Sequence, residues 1–238
     1  MDISVTLDII RLIVGTIILG YACYTDLKTR MAPNILWIIM GGVGVILLIV
    51  QYLTGNIQDL LYLLFIPLII AIVYIFFYIG LIFGGADAKA IMSLAILNPF
   101  WPSLFGYPQH QSVMPFSWVI FSNSIIIFLL IPPSLLIYNA IKREVELPFA
   151  LIGYKMDIEK AKKKFVWPLE KIVDGKRKLV IMPEDFDTSE HIRELERQGL
   201  KRIWVTPKIP FMVPLLIGFI VAYFYGDILF SLISGIIP

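Results

Sequence analysis

Long apolar runs that do not alternate with polar residues dominate this chain. Six of them approach or reach the roughly 20 residues that a helix needs to cross a bilayer. They cover residues 7–25, 35–53, 60–83, 88–105, 114–141 and 209–233. Asn98, Pro99 and Pro102 interrupt the fourth run, so we expect it to bend or to stop early, and the Pro132–Pro133 pair should disturb the fifth. The pattern predicts an all-α polytopic membrane protein with six transmembrane helices.

Composition supports this class and excludes others. Of the 238 residues, 58% are hydrophobic and 16% are charged, and the mean hydropathy is +0.83. A soluble domain carries about 25% charged residues, so a chain this apolar would not stay dispersed in water. Cys23 is the single cysteine, which excludes an internal disulfide and a cysteine-based zinc site.

The net charge of +2 becomes informative once the charges are located. Residues 1–141 contain four Lys and Arg, residues 142–208 contain sixteen, and residues 209–238 contain none. Basic residues mark the cytoplasmic loops of membrane proteins. We therefore expect the linkers 26–34 and 84–89 and the stretch 142–208 to be cytoplasmic, with both termini outside. The charge is a topology signal and gives no indication of nucleic-acid binding.

The hydrophilic stretch divides the chain into a membrane domain (1–141), a cytoplasmic insert (142–208) and a sixth transmembrane helix (209–238). Four elements are predicted in the insert: a lysine-rich helix at 155–165, a strand over Lys178–Met182 after an Asp174-Gly175 turn, a helix from Thr188 or Ser189 to about Gln198, and a strand over Arg202–Thr206. This composition indicates a small α+β unit. Its basic tracts fit either contact with anionic lipid headgroups or a plain solvated face.

Ionisable residues in or beside membrane helices are costly, so each needs an explanation. Asp8 and Arg11 are three residues apart and can pair on one face of the first helix. Asp59 and Asp227 fall at the outer ends of the third and sixth predicted helices, where water would solvate them. These four residues need no catalytic explanation.

Asp26 and Asp87 differ, because each lies at the cytoplasmic end of an apolar run and both should have the same depth. Two such carboxylates suit an aspartic protease, in which one activates a water and the other, protonated, hydrogen-bonds the scissile carbonyl. Three small residues before Asp87 would let a substrate backbone approach: Gly84, Gly85 and Ala86. Two alternatives stay open from the pattern alone: helix-end charges, with Asp87 as an N-cap, or ligands of a transport pathway.

Other groups of polar residues give weaker indications of a catalytic or metal site. Lys89 and Ser93 have the spacing of a Ser/Lys dyad on a helix, but Lys89, like Lys28, also serves as a positive-inside anchor. We treat Lys28 and Lys89 as candidate modulators of the aspartates. His110 and His191 are isolated and lack the His-Glu-x-x-His spacing, so no metal site is expected.

Two segments resemble those of the type IV prepilin peptidase family, membrane aspartic proteases marked by a Gly-x-Gly-Asp motif. Asp26–Asn34 is similar to the first aspartate segment of the family, which ends in Pro-Asn or Pro-Asp, and Gly84–Lys89 is similar to the second. Ala86 stands where the general pattern has its second glycine. The aspartates are 61 positions apart, with two predicted helices between them. The size, the six spans and the late insert most resemble the archaeal branch, the preflagellin peptidases.

The resemblance implies an aspartic endopeptidase with Asp26 and Asp87 as its catalytic pair. It implies cleavage of the class III signal peptide of preflagellin, and of pilin-like precursors, at the cytoplasmic membrane face. The expected partners are these leader peptides and membrane lipids, with no nucleic acid. Bacterial members that also methylate the new N-terminus often carry paired Cys-x-x-Cys motifs, which Cys23 alone cannot supply, so we expect no methyltransferase activity and no cofactor.

Two other functions remain as alternatives. A small proton- or ion-coupled transporter would use the same two aspartates, although such carriers place ionisable groups near the middle of the membrane. A non-enzymatic scaffold would bind a cytoplasmic partner through residues 142–208, and it would leave the two aspartate segments unexplained.

Overall fold

The structure is a computed structural model that describes residues 2–57, 60–82, 84–164, 166–173, 176–180, 189–207 and 209–236. The helices in these ranges are α1 (Ile3–Thr29), α2 (Asn34–Leu53), α3 (Phe65–Tyr78, preceded by a 3-10 turn at Leu60–Leu64), α4 (Gly85–Leu97), α5 (Phe116–Leu129), α6 (Ile131–Ile141), α7 (Phe149–Ile152), α8 (Ile158–Ala161), α9 (Ser189–Arg197), α10 (Met212–Phe224) and α11 (Ile228–Ile236). The strands are β1 (Tyr154–Asp157), β2 (Val166–Pro168), β3 (Glu170–Val173), β4 (Lys176–Leu179) and β5 (Arg202–Pro207).

The chain forms two compact units. The membrane unit comprises Met1–Phe128 and Pro210–Pro238, and the insert unit comprises Leu129–Ile209. The fifth apolar run divides near Leu130 into α5 and α6, just before the Pro132–Pro133 pair, as expected for this pair of prolines.

Four helices among the described residues are long and apolar enough to cross a membrane: Ile3–Thr29, Asn34–Leu53, Leu60–Tyr78 and Phe116–Ile141. They match the first, second, third and fifth predicted spans, and the protein is a multi-pass membrane protein. The fourth run stops early, as expected, since α4 ends at Leu97 before Pro99. With 13 residues, α4 is about 20 Å long, less than the roughly 30 Å of a bilayer core.

The sixth run is divided into α10 and α11 at Gly226, which has a φ of +101°. His110 pairs with the backbone on both sides of this glycine: its N–H donates to Tyr225 O and its carbonyl accepts from Asp227 N, each at 2.9 Å. Asn123 Nδ2 donates to Gly226 O at 2.8 Å, and Asn123 Oδ1 accepts from Ile228 N at 3.1 Å. Protein groups therefore satisfy the backbone that the break exposes.

Asp227 does not lie in water as the sequence suggested. Its side chain is only 5% exposed, and Oδ1 accepts a hydrogen bond from Phe230 N at 3.0 Å. It caps the first turn of α11. Asp59 falls outside the described residues.

The predicted pair of Asp8 and Arg11 is confirmed, with 3.0 Å between Oδ1 and Nη1. Both residues are buried, and the pair is extended by two further contacts. Arg11 Nη2 donates to Gln51 Oε1 at 2.7 Å, and Ser103 N donates to Asp8 Oδ2 at 3.0 Å. The ion pair therefore ties α1 to α2 and to the segment that follows α4.

Close backbone contact joins α2 and α4, which lie side by side and run in the same direction. An added Cβ at Gly44 would lie 2.8 Å from the backbone of Leu97, so only glycine fits there. Gly41 faces the Ile96 side chain one turn earlier. Small residues allow such an approach between membrane helices.

The insert unit contains a three-stranded antiparallel sheet in the order β1-β5-β2, with Tyr154 opposite Val205 and Trp167 opposite Thr206, and a separate β3-β4 hairpin. The predicted α+β class is confirmed, and so are the helix from Ser189 and the strand that starts at Arg202. The predicted strand at Lys178 overlaps β4, while its end and the Asp174-Gly175 turn lie outside the described residues.

The helix predicted over residues 155–165 is wrong for most of that range. Residues Tyr154–Asp157 form β1, and only one helical turn, Ile158–Ala161, follows. Within β1 only Met156 is buried, and β5 supplies the pairing partner for all four residues, with Tyr154 opposite Val205 and Asp157 opposite Arg202.

Candidate active site

Asp26 lies in the last turn of α1, which is closed by Arg30. Arg30 has a left-handed conformation (φ +59°), and its N–H donates to Asp26 O at 2.9 Å. Pro33 stands just before α2, so three residues, Met31 to Pro33, separate the end of this turn from the next helix. The Asp26 side chain is half-buried at the helix end.

Asp87 lies in the first turn of α4. The helix begins at Gly85, and Gly84 occupies the N-cap position with an extended backbone (φ −92°, ψ 115°). The hypothesis that Asp87 itself is the N-cap is therefore wrong, because the chain already enters the helix two residues earlier. Its half-buried carboxylate turns back towards the N-cap.

Gly84 provides the space that the Asp87 carboxylate occupies. A Cβ added at Gly84 would lie 2.1 Å from Asp87 Oδ2 and 2.9 Å from its Cγ, both closer than Cβ atoms approach other groups. A Cβ added at Gly85 would meet only the Phe77 ring, at 3.8 Å. The two adjacent glycines therefore have different roles: the first makes room for the carboxylate, whereas a Cβ at the second would make only an ordinary contact.

The side chains beside the two aspartates contribute to the hydrophobic core of the membrane unit: Ala22 and Cys23 before Asp26, and Ala86 and Ala88 on either side of Asp87. Asp87 itself lies outside the four candidate spans. Burial raises the pKa of Asp87 to about 7, and the negative charge of Asp26 acts in the same direction. A carboxyl group that titrates near neutral pH is suited to acid–base chemistry.

The two candidate modulators bind neutral groups. Lys28 Nζ lies 3.4 Å from the Tyr24 hydroxyl, and Lys89 Nζ donates to Asn34 Oδ1 at 2.8 Å. The modulating role assigned to these lysines stays a prediction. In the sequence Asn34 is only the end of the first aspartate segment, and nothing local pairs it with Lys89, which lies 55 positions away.

Ser93 and Lys89 do not have the geometry of a Ser/Lys catalytic dyad. Ser93 Oγ donates to the carbonyl oxygens of Trp37, at 3.1 Å, and Lys89, at 2.8 Å. Its hydroxyl is therefore held by backbone groups, while the Lys89 ammonium points to Asn34. Among the described residues, no group of three or more His, Cys, Asp and Glu side chains is placed to hold a metal ion.

Comparison with known proteins assigns the chain to a family. Residues 13–138, which include both aspartate segments, match the type IV leader peptidase family. This match covers more than half of the chain. The chain belongs to the type IV leader peptidase family. A second match, over residues 145–228, is to the archaeal peptidase A24 C-terminus type II.

Curated relatives extend these matches over nearly the whole chain. A preflagellin peptidase of Methanococcus voltae is 27% identical over 236 residues, covering 92% of this chain and 97% of the relative. Those of Methanocaldococcus jannaschii and Methanococcus maripaludis are 29% and 26% identical, covering 92% of this chain and 94% and 96% of the relatives. The resemblance inferred from the two aspartate segments is confirmed, and the family assigns a leader peptidase function.

Proposed function

We propose that this leader peptidase is an aspartic endopeptidase that removes the class III signal peptide of preflagellin at the cytoplasmic membrane face. Three curated relatives named preflagellin peptidase support the substrate. The main support for the aspartic mechanism is the environment of Asp87. Its carboxyl group is partly buried in the first turn of α4, and the negative charge of Asp26 helps to raise its pKa.

In this mechanism the two carboxyl groups hold one proton between them at neutral pH, because two like charges in one site do not both ionise. Asp87, with the raised pKa, is the protonated member and donates a hydrogen bond to the scissile carbonyl oxygen. Asp26 is ionised and accepts a proton from the attacking water.

The water oxygen bonds to the carbonyl carbon and gives a tetrahedral intermediate whose oxygen Asp87 stabilises. The C–N bond then breaks, and the leaving nitrogen takes the proton that Asp26 received from water. The products are the leader with a new carboxylate and the mature protein with a new amine. No methyl group is transferred in this proposal, and no cofactor takes part.

The charge distribution supports the proposed sidedness. The linkers that carry Asp26 and Asp87 also carry Lys28, Arg30 and Lys89, as expected for cytoplasmic loops. The basic leader of such a substrate would stay on that side, followed by its hydrophobic helix in the membrane. Pilin-like precursors have the same arrangement and are included in the proposal. The transporter alternative has no support from the comparisons.

The test is leader processing in isolated membranes by Asp26→Asn and Asp87→Asn, made separately. Each change keeps the size of the side chain and removes its acid–base function, so we expect the unprocessed precursor to accumulate. Asp2→Asn is the matched control: Asp2 is exposed and caps α1 through Ser4 N, and asparagine caps equally well. Normal cleavage by either Asp26→Asn or Asp87→Asn would refute the aspartic mechanism.

A further inference from the structure

Two side-chain hydrogen bonds join α2 and α4 near their N-terminal ends. Lys89 Nζ donates to Asn34 Oδ1 at 2.8 Å, and Ser93 Oγ donates to Trp37 O at 3.1 Å, one turn further along both helices. Beyond them the backbones meet at Gly44 and Leu97. The two helices are thus joined by tight backbone packing at one end and by two side-chain hydrogen bonds at the other.

The Lys89–Asn34 hydrogen bond lies where the two aspartate segments meet. Asn34 is the first residue of α2, four positions after Arg30, which closes the turn of Asp26. Lys89 is two positions after Asp87 on α4. The hydrogen bond therefore connects the link that follows one aspartate to the helical turn that carries the other.

Helix ends fray more readily than helix interiors, because their first N–H groups lack intrahelical partners. Asp87 is in the first turn of α4, beyond the part that packs against Gly44. A contact that holds this turn on α2 therefore limits the positions that the Asp87 carboxylate can take relative to Asp26.

We propose that Lys89 and Asn34 form a positioning pair that holds the first turn of α4 against the start of α2 and so sets the approach of Asp87 to Asp26. This inference rests on the proposed aspartic mechanism. Lys89 acts here through its hydrogen bond to Asn34. A purely topological lysine would act through its charge alone, and Asn34 would then have no effect on cleavage.

The test compares Lys89→Gln, Asn34→Ala and the double variant, with kcat and KM measured on a preflagellin leader peptide in detergent. Misplacing a catalytic group by 1 Å costs about 100-fold in rate, and a loosened turn keeps the correct position part of the time. We expect each single variant to lower kcat about tenfold with little change in KM, and the double variant to be no worse than either single one.

Conservative variants and controls distinguish a positioning effect on kcat from an effect on folding or on membrane topology. Asn34→Asp keeps an acceptor for Lys89 and should retain most of the wild-type kcat. Lys142→Gln removes an exposed cation from the expected cytoplasmic side and should leave kcat unchanged. Unfolding temperatures should stay close to the wild-type value in all variants, because the lost contact is exposed.

Wild-type kcat in Asn34→Ala, or a double variant whose loss is the product of the single losses, would overturn the positioning pair. Loss of kcat in Asn34→Asp equal to that in Asn34→Ala would do the same. Asp87→Asn is measured in the same series. If it is inactive while Asn34→Ala is fully active, only the positioning pair fails. If it cleaves normally, the proposed mechanism fails and the positioning pair with it.

Discussion

Replacing Gly84 by alanine should displace the Asp87 carboxylate without disturbing the fold. The new Cβ would lie 2.1 Å from Asp87 Oδ2, whereas real Cβ atoms essentially never come closer than 3.0 Å. The carboxylate must therefore move by about 1 Å, and a misplacement of this size can lower the rate by about 100-fold. The extended backbone of Gly84 suits any residue, and a shifted aspartate rotamer costs only about 0.5–1.5 kcal/mol.

The comparison variant is Gly85→Ala, one position along the same motif. Its Cβ would meet only the Phe77 ring at an ordinary 3.8 Å, and alanine is favoured over glycine in a helix by up to about 1 kcal/mol. If room for the carboxylate is what matters, Gly85→Ala should cleave at a rate close to that of the wild type. If small residues serve only the approach of substrate, both variants should lose activity alike.

Single-turnover cleavage of a leader peptide by purified enzyme measures these effects, and thermal unfolding in the same detergent checks the fold. The expected order of rates is wild type and Gly85→Ala together, with Gly84→Ala far below them at an unchanged unfolding temperature. Equal rates for Gly84→Ala and Gly85→Ala would refute the assignment of Gly84 to carboxylate placement.

Three further predictions concern acidity, the buried ion pair and the insert. The protonated form of Asp87 is the active acid and its pKa is raised to about 7, so kcat/KM should fall as pH rises through 7, and a flat profile from pH 6 to 9 would contradict this. Arg11→Met should lower the unfolding free energy by about 3–5 kcal/mol in detergent, because it leaves the carboxylate of Asp8, which is only 6% exposed, without its ion-pair partner. Adding Asp8→Leu to this variant should recover part of the loss. Glu170→Ala should lower the unfolding free energy by about 1–3 kcal/mol and speed proteolysis of the insert, because the fully buried Glu170 carboxylate accepts a hydrogen bond from Trp204 N at 2.8 Å. Unchanged proteolysis would contradict this role of Glu170.

The positions of both aspartates at helix ends could be predicted from the sequence, because hydropathy and basic residues locate the ends of membrane helices. The pairing of Asp8 with Arg11 could also be predicted, since it depends on a spacing of three within one helix. These features are local. Each one is decided by residues that lie within a single turn or a single apolar run.

Features that depend on distant partners could not be predicted in this way. The sixth apolar run reads as one helix, and its division at Gly226 needs the backbone of His110 and the amide of Asn123. Residues 155–157 look helical until β5, some 45 positions later, provides their partner. The need for glycine at position 84 could not be predicted either, because it depends on how the Asp87 carboxylate turns back towards Gly84 in three dimensions.

In the proposed mechanism Asp26 and Asp87 act on each other as one site. Carbon-13 NMR of carboxyl-labelled aspartate measures this interaction, with the Asp87 signal assigned by its loss in Asp87→Asn. We expect the Asp87 carboxyl to titrate with a pKa of about 7 and Asp26→Asn to lower this pKa, because the neighbouring negative charge is removed. An Asp87 carboxyl that titrates near the ordinary aspartate value of about 4 in both proteins would contradict it.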